Sequence, residues 1–319
     1  MKRLTILFVV FVLLIGGYVA LRMFSKPENF VAPQSVSFSD VDLSTIDGIT
    51  LVFAQDKQIQ LEKRDGTWFV DDLPADGAKV QSLLDAAASS TVDSRVSSNA
   101  QYHERFEVAD KGIRMTLLAQ ESVKKELVFG KAAGGDSVYV RVPDQTDVFV
   151  MSGFPRYSLT EEMDQWRDRS LATVSTDRIR MVGYTENQIQ WELKQTGEAW
   201  TVGTNRIAAV AVDTTKTETY LASIVGLRAI AFPTADEITA TQKNRATFAT
   251  VTLEFGTPDA FERKETWSVY QSSPADRLLV IRASDSVGFF VDTQTFDQVF
   301  GDFAQLKSAV VASAEEAVK

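Results

Sequence analysis

Residues 47–70 read DGITLVFAQDKQIQLEKRDGTWFV, a stretch in which apolar residues alternate with polar ones. Ile49, Leu51 and Phe53 occupy every second position, and the alternation resumes at Ile59. In a β-strand, successive side chains point to opposite faces, so residues at every second position share one face. The stretch therefore predicts a pair of strands with one buried face.

Residues 177–202, DRIRMVGYTENQIQWELKQTGEAWTV, repeat this pattern. The matched positions, first at constant spacing and then after small insertions, are Ile49, Ile59, Leu61, Trp68 and Val70 in the first copy and Ile179, Ile189, Trp191, Trp200 and Val202 in the second. Farther along, Arg141, Val148 and Val150 match Arg282, Phe289 and Val291. Because the matches keep one order, they predict an internal duplication of one module.

Each copy also carries one amphipathic stretch after its first strands. In the first copy Pro74 precedes an apolar stripe, and in the second a similar stripe begins after Val212. The stripe residues are Val80, Leu83, Leu84 and Ala87, and then Tyr220, Leu221, Ile224 and Leu227. Further alternating strands follow each stripe. The predicted class is α+β, with two tandem modules of mostly antiparallel sheet plus helix.

Composition limits the classes of function. The 319 residues suggest about two domains. A net charge of -10 and a sequence pI near 4.8 disfavour nucleic acid as a partner, because like charges repel. The absence of cysteine excludes disulfides, thiolate metal sites and cysteine nucleophiles.

The N-terminus predicts a membrane anchor. Leu4 to Leu21 is an uncharged run between Arg3 and Arg22. As a helix it would rise about 27 Å, close to the hydrocarbon thickness of about 30 Å. A cleaved signal peptide is the alternative, but cleavage after Ala20 would put Tyr18 where a small residue is needed. We therefore expect an uncleaved signal-anchor.

The flanking charges set the expected orientation. Lys2 and Arg3 precede the run and an acidic body follows it, which favours a single-pass cell membrane protein with its N-terminus inside and its bulk in the periplasm. The expected divisions are 1–24 for the cytoplasmic start and span, 25–44 for a linker, 45–171 and 172–306 for the two modules, and 307–319 for a C-terminal tail.

The order of four motifs resembles that of a bacterial family called domain of unknown function 4340. The motifs are Trp68, Pro74-Ala75-Asp76, Leu83 and Leu84 in the helix, and Trp166-Arg167-Asp168-Arg169-Ser170-Leu171. The resemblance covers about residues 44–306. It implies a membrane-anchored extracytoplasmic protein, in some cases associated with ABC-transporter-like or gliding-motility systems. It implies no catalytic residues.

Few residues are candidates for chemistry. His103 is the single histidine, so catalytic or metal sites that need two imidazoles are excluded. Gly130 to Ser137 is glycine-rich but has Asp136 where a phosphate loop requires lysine. We interpret it as a hairpin connection and His103 as structural.

Three other features have both a structural and a functional interpretation. The acidic run Glu161, Glu162, Asp164 and Asp168 could chelate calcium or supply an acid/base pair, but the arginines among them favour an ion-paired joint. Trp68 and Trp200 could line a ligand groove, or anchor the two cores. Leu278 to Ile281 could offer an edge for β-augmentation, or form a central strand.

No catalytic, cofactor-binding or metal-binding residues are therefore predicted, and no cofactor. We expect a non-enzymatic binding or assembly module with a protein partner in the membrane or envelope, such as an ABC-type transporter. One alternative is a hydrolase of cell-envelope glycans that uses two carboxylates, since that chemistry needs neither histidine nor cysteine. The other is a structural envelope spacer.

Overall fold

The alternating stretches form strands in a computed structural model, which describes residues 32–187, 189–205, 208–257 and 260–301. The chain divides between Arg167 and Asp168 into a first and a second unit. No helix within the described ranges has the length and apolar character needed to cross a membrane. The expected span Leu4 to Leu21 and the expected tail 307–319 lie outside those ranges.

The first unit is built on a nine-stranded antiparallel sheet with the order β4-β3-β2-β1-β6-β7-β8-β9-β5. Its strands are β1 (Gly48–Val52), β2 (Gln58–Arg64), β3 (Thr67–Val70), β4 (Leu73–Pro74), β5 (Thr91–Ser97), β6 (Ile113–Ala119), β7 (Ser122–Gly134), β8 (Ser137–Arg141) and β9 (Val148–Ser152). Its helices are α1 (Gly77–Ser89) and the short α2 (His103–Phe106).

Helix α1 covers one face of this sheet, as its apolar stripe predicts. The carboxylate of Asp76 caps the helix by accepting from the backbone N–H of Lys79 at 3.1 Å. Val80, Leu83 and Leu84 are buried in the core. They pack against the inward-facing residues of the strands, among them Leu51, Leu117 and Phe129.

Part of the expected linker is instead packed into the first core. Val36 and Phe38 are buried, and the Phe38 ring stacks on Phe154 with centroids 6.3 Å apart. In the sequence Val36 and Phe38 are only two apolar residues among polar neighbours, which is too short an alternation to predict burial. The first unit therefore begins before residue 45, the start that the sequence predicts.

The second unit is built on an eight-stranded antiparallel sheet with the order β13-β12-β11-β10-β14-β15-β16-β17. Its strands are β10 (Ile179–Glu186), β11 (Ile189–Thr196), β12 (Ala199–Thr204), β13 (Val210–Val212), β14 (Ala249–Thr257), β15 (Ala260–Gln271), β16 (Arg277–Arg282) and β17 (Gly288–Asp292). Its helices are α3 (Thr214–Val225), α4 (Ala235–Asn244) and α5 (Thr293–Phe300). The α+β class with two antiparallel sheets is confirmed.

The two sheets share one strand order, except that β5 adds a ninth strand to the first. The pairing also sets the correspondence between the units: Leu61 pairs with Val70, and Leu193 pairs with Val202. Leu61 therefore corresponds to Leu193, not to Trp191. The two hairpins after these strands have equal length, so no insertion is needed, whereas the β1–β2 connection is longer than the β10–β11 connection.

Each sheet has a second, smaller apolar cluster on the face away from its main core. In the first unit Val108 packs against Val128 and Val148 beside α2. In the second, Ile238 of α4 packs on Leu279 and other residues of β16 and β17. The part of each outer face that lies over β1–β3 or β10–β12 has no such cover among the described residues.

Candidate functional site

Three of the four carboxylates of the acidic run, those of Glu161, Asp164 and Asp168, have local partners. Asp164 pairs with Arg167 at 3.1 Å, and Glu161 lies 3.9 Å from Lys57. In the second unit, the Asp168 carboxylate accepts hydrogen bonds from the backbone and side chain of Ser170. Within the described ranges, no cluster of three histidine, cysteine, aspartate or glutamate side chains is placed to hold a metal ion.

Trp166 and Arg167 close the outer edge of β4. The Trp166 carbonyl accepts a hydrogen bond from the backbone N–H of Asp76 at 2.7 Å. The backbone of Arg167 forms an isolated antiparallel β-bridge with Ala75. The Trp166 indole is fully buried and donates to the Thr160 carbonyl at 3.0 Å, while the Lys79 ammonium lies 4.8 Å from the indole centroid. These contacts give the motif a structural role within the first unit.

His103 and the glycine-rich stretch also have local partners. His103 Nε2 lies 2.9 Å from the carbonyl of Thr146. Residues 130–137 span the end of β7 and the turn into β8, and a Cβ at Gly130 would lie 2.2 Å from the Phe106 carbonyl oxygen. Glycine at 130 is therefore explained by the close approach of the segment before it, not by a phosphate.

The paired tryptophans and the apolar run are core elements. Trp68 and Trp200 are 6% and 4% exposed and belong to the main clusters of their units. Leu278 to Ile281 lies in β16, between β15 and β17. The core-anchor and central-strand interpretations are thus confirmed.

Two buried charges occupy corresponding positions in the two sheets. Lys125 pairs with Leu117 on β6, and Glu265 pairs with Leu253 on β14. The Lys125 ammonium is satisfied by Asp40 at 2.7 Å and by a backbone carbonyl. The Glu265 carboxylate accepts from the Trp267 indole at 2.6 Å. Both residues lie among other charged residues in the sequence, so their burial is not evident from the sequence alone.

An open groove of about 590 Å³ lies on the uncovered outer face of the first sheet. Across its floor Leu118, Gly48, Glu62 and Phe69 stand side by side in register on β6, β1, β2 and β3. Gly48 has no side chain, and a Cβ there would lie 3.2 Å from that of Leu118. The glycine therefore deepens the groove at its centre.

Polar side chains also line this groove. Thr50 stands opposite Gln60 in the β1–β2 pair, and Gln58 follows two positions along the same face of β2. Among the described residues, none of these three side chains has a hydrogen-bond partner. They leave a row of amide and hydroxyl groups available to a ligand.

The charges in the groove pair with one another. The Arg64 guanidinium contacts Glu62 at 2.6 Å and Asp72 at 2.9 Å, and it lies 5.3 Å from the Phe69 ring centroid. Hydrogen bonds from Arg64 to these two carboxylates raise the pKa of the guanidinium above its usual range. Asp71 lies 3.7 Å from Arg167.

The corresponding face of the second unit is different in character. By strand register, Gly183, Glu192, Lys194, Thr201 and Glu254 occupy the positions of Thr50, Gln60, Glu62, Phe69 and Leu118. Glu254 and Thr201 replace the apolar residues of the floor, and Met181 has a side chain at the position that Gly48 leaves open. The combination of apolar floor and free amides is therefore a feature of the first unit.

A second recess of about 590 Å³ surrounds the start of α5 in the second unit. Asp276, Asp292 and Asp297 line it. Partial burial raises the pKa of Asp297, and the negative charges of Glu186 and Asp292 raise it further. Asp292 is held as the helix cap by Thr295, so its carboxylate already has a structural role.

The comparisons with known proteins bear on the family alone. No curated protein and no solved structure matches the chain. The model of one family, the domain of unknown function DUF4340, matches residues 70–248, which is more than half of the chain. This match confirms the family that the sequence resembles, over a range narrower than the expected 44–306. The helix and the arginine-aspartate motif lie inside the matched range, and Trp68 lies just before it. The chain belongs to the DUF4340 family.

Proposed function

We propose that this protein is a non-enzymatic binding or assembly module, displayed outside the membrane and accessory to an ABC-type transport or envelope complex. The observation that supports a binding role is the groove of the first unit. Its side chains Thr50, Gln58 and Gln60 retain hydrogen-bonding capacity that no described residue uses. Free polar groups beside an apolar floor are what a recognition site requires.

The membrane location in this proposal rests on the N-terminal run. Leu4 to Leu21 has spanning length, and Arg3 with Lys2 favours a cytoplasmic start. Mass spectrometry of the N-terminal peptide from purified membranes tests this. We expect a chain that begins at or next to Met1. A mature chain that begins after Ala20 would remove the anchor from the proposal.

Site-specific photo-crosslinking in native membranes tests the binding role. A photoreactive residue at Gln60 in the groove is compared with one at Glu192, which has the corresponding place in the second sheet. We expect Gln60 to form an adduct with an envelope component, and an adduct to a transporter subunit would support the accessory role. If neither position forms an adduct, the binding role fails and a structural spacer remains.

A carboxylate-dependent hydrolase of envelope glycans is the second candidate. The observation that favours it is the recess at the start of α5, which Asp276, Asp292 and Asp297 line together. Partial burial raises the pKa of Asp297 there, in the direction that a general acid requires. Incubation of the full-length protein with purified peptidoglycan tests it. Release of reducing ends that is lost in Asp297→Asn would establish hydrolysis, and no release from the unsubstituted protein would reject it.

A further inference from the structure

We propose that the groove of the first unit binds an uncharged oligosaccharide. The inference rests on the proposed binding role and names the class of ligand for that site. It is carried by three features of the groove: its free hydrogen-bonding groups, the balance of its charges and its apolar floor.

The free groups suit a ligand that carries many hydroxyls. Gln58 and Gln60 each offer an amide donor and a carbonyl acceptor, and Thr50 offers a hydroxyl that does both. The two glutamines lie two positions apart on one strand, so their side chains are separated by about 6.6 Å. Sugar hydroxyls, which donate and accept as well, can pair with each of these groups.

The charges of the groove argue against a charged ligand. Three of the five N–H groups of Arg64 donate to Glu62 and Asp72. The two carboxylates offset the charge of the guanidinium, so its attraction for an incoming anion is weakened. The carboxylates are likewise engaged by Arg64, and Asp71 lies near Arg167. Because these ion pairs leave a small negative excess, an anionic ligand would also be repelled.

The floor and the size of the groove fit a sugar chain. Leu118 stands beside Gly48, and Phe69 stands at the other end of the same row, beyond Glu62. The C–H face of a sugar ring can pack against either of these two apolar side chains. The volume of about 590 Å³ lies within the range of sites that hold small ligands. The open shape would admit a chain that extends beyond it.

Isothermal titration of the full-length protein tests the proposal. The protein is held in a detergent without a sugar head group, and the probes are chitotriose, maltotriose, cellotriose, the anionic trigalacturonate and the cationic peptide trilysine. We expect at least one uncharged trisaccharide to bind, and trigalacturonate and trilysine not to bind. The double variant Gln58→Ala/Gln60→Ala should weaken that binding about tenfold, because two hydrogen bonds are lost.

Glu192→Ala is the matched control, because Glu192 is exposed and has the register position of Gln60 in the second unit. It should leave the affinity unchanged, and thermal melting should show all variants folded. The proposal fails if no uncharged trisaccharide binds, or if the double variant binds it as tightly as the unsubstituted protein does. It also fails if the binding that Gln58 and Gln60 support is that of trilysine or trigalacturonate. If Gln60 forms a protein adduct in membranes but no trisaccharide gives a binding signal in the titrations, the proposal of a sugar ligand is rejected. The proposed binding role is then retained with a protein partner.

Discussion

Gly130 lies where the segment around Phe106 and Val108 crosses the outer face of the first sheet. A Cβ at this position would lie 2.2 Å from the Phe106 carbonyl oxygen and 2.7 Å from Val108 Cγ1. Because a backbone oxygen cannot move without disturbing α2, we expect Gly130→Ala to lower the free energy of unfolding by about 1 to 3 kcal/mol. Urea denaturation measures this change.

Gly77→Ala is the control for that experiment. Gly77 is the first residue of α1, and a Cβ there would meet no atom within 4 Å. Alanine should be neutral or slightly stabilising in a helix. Equal stability of the Gly130 and Gly77 variants would contradict the crowding seen at Gly130.

The pair between Asp40 and Lys125 ties the N-terminal segment to the first sheet. The Lys125 side chain is 6% exposed, and its ammonium lies 2.7 Å from the Asp40 carboxylate. Asp40→Asn removes the countercharge and leaves a buried ammonium, so we expect a loss of about 1 to 3 kcal/mol in the free energy of unfolding. Chemical denaturation again provides the measurement.

An exposed ion pair of similar length gives the comparison. Arg114 and Glu126 lie 2.8 Å apart, with side chains 49% and 32% exposed. Glu126→Gln should therefore change stability by less than about 0.5 kcal/mol. If Asp40→Asn were as mild as Glu126→Gln, the segment that contains Asp40 would contribute little to the fold.

At the scale of elements, the sequence predicts those that bury one regular face. The strands around Ile49 and Leu61 and the helix of Leu83 alternate or repeat with the correct period, and all are present. The sequence does not predict strand β5, because an edge strand with no buried residue shows no alternation of apolar and polar positions. Helix α4 has no buried residue either, although its capping box at Thr234 and Glu237 was a local signal that could have revealed it.

Helix α5 leads to a prediction about pH. The pKa of Asp297 is raised from its ordinary value of 3.8, because partial burial and then Glu186 and Asp292 disfavour the ionised form. A carboxyl with a raised pKa in the folded state binds its proton more tightly there than in the unfolded chain. Its favourable contribution is present below 3.8 and is lost as the pH rises through the folded value.

We therefore expect Asp297→Asn to be more stable than the unsubstituted protein at pH 7. The difference should shrink as the pH falls toward and below the ordinary carboxyl range, because Asp297 then becomes protonated in both states. Thermal unfolding of both proteins from pH 7 to pH 3 measures the difference. A gap that widens as the pH falls would show that the folded state favours the ionised carboxylate.

At the scale of the molecule, the α+β class and the two similar antiparallel sheets could be predicted from the sequence, but the groove could not. Alternation shows that Thr50, Gln58 and Gln60 face away from the core, but the same pattern describes any solvated strand face. What distinguishes the groove is cross-strand register, which brings Leu118, Gly48 and Phe69 into line from three strands distant in sequence. The motif that was most visible in the sequence, Trp166 and Arg167, closes an edge instead.

The separate cores lead to a prediction about cooperativity. The main buried clusters of the two units share no residue, so each should unfold with its own stability. Gly288 is crowded in the second unit much as Gly130 is in the first, since a Cβ there would lie 2.7 Å from Pro233 Cγ. Hydrogen exchange followed by mass spectrometry can report on β6 and β14, the strands that pair with β1 and β10 in the two sheets.

We expect Gly130→Ala to speed exchange in β6 and to leave β14 unchanged, and Gly288→Ala to do the reverse. This outcome would mean that the unit carrying the groove and the segment from the N-terminus has a stability of its own. A mechanical force applied to the N-terminal segment would then act on the first core through Val36 and Phe38, which are both buried there. If either substitution speeds exchange equally in both strands, the two cores unfold together, and the division at Arg167 and Asp168 does not mark an energetic boundary.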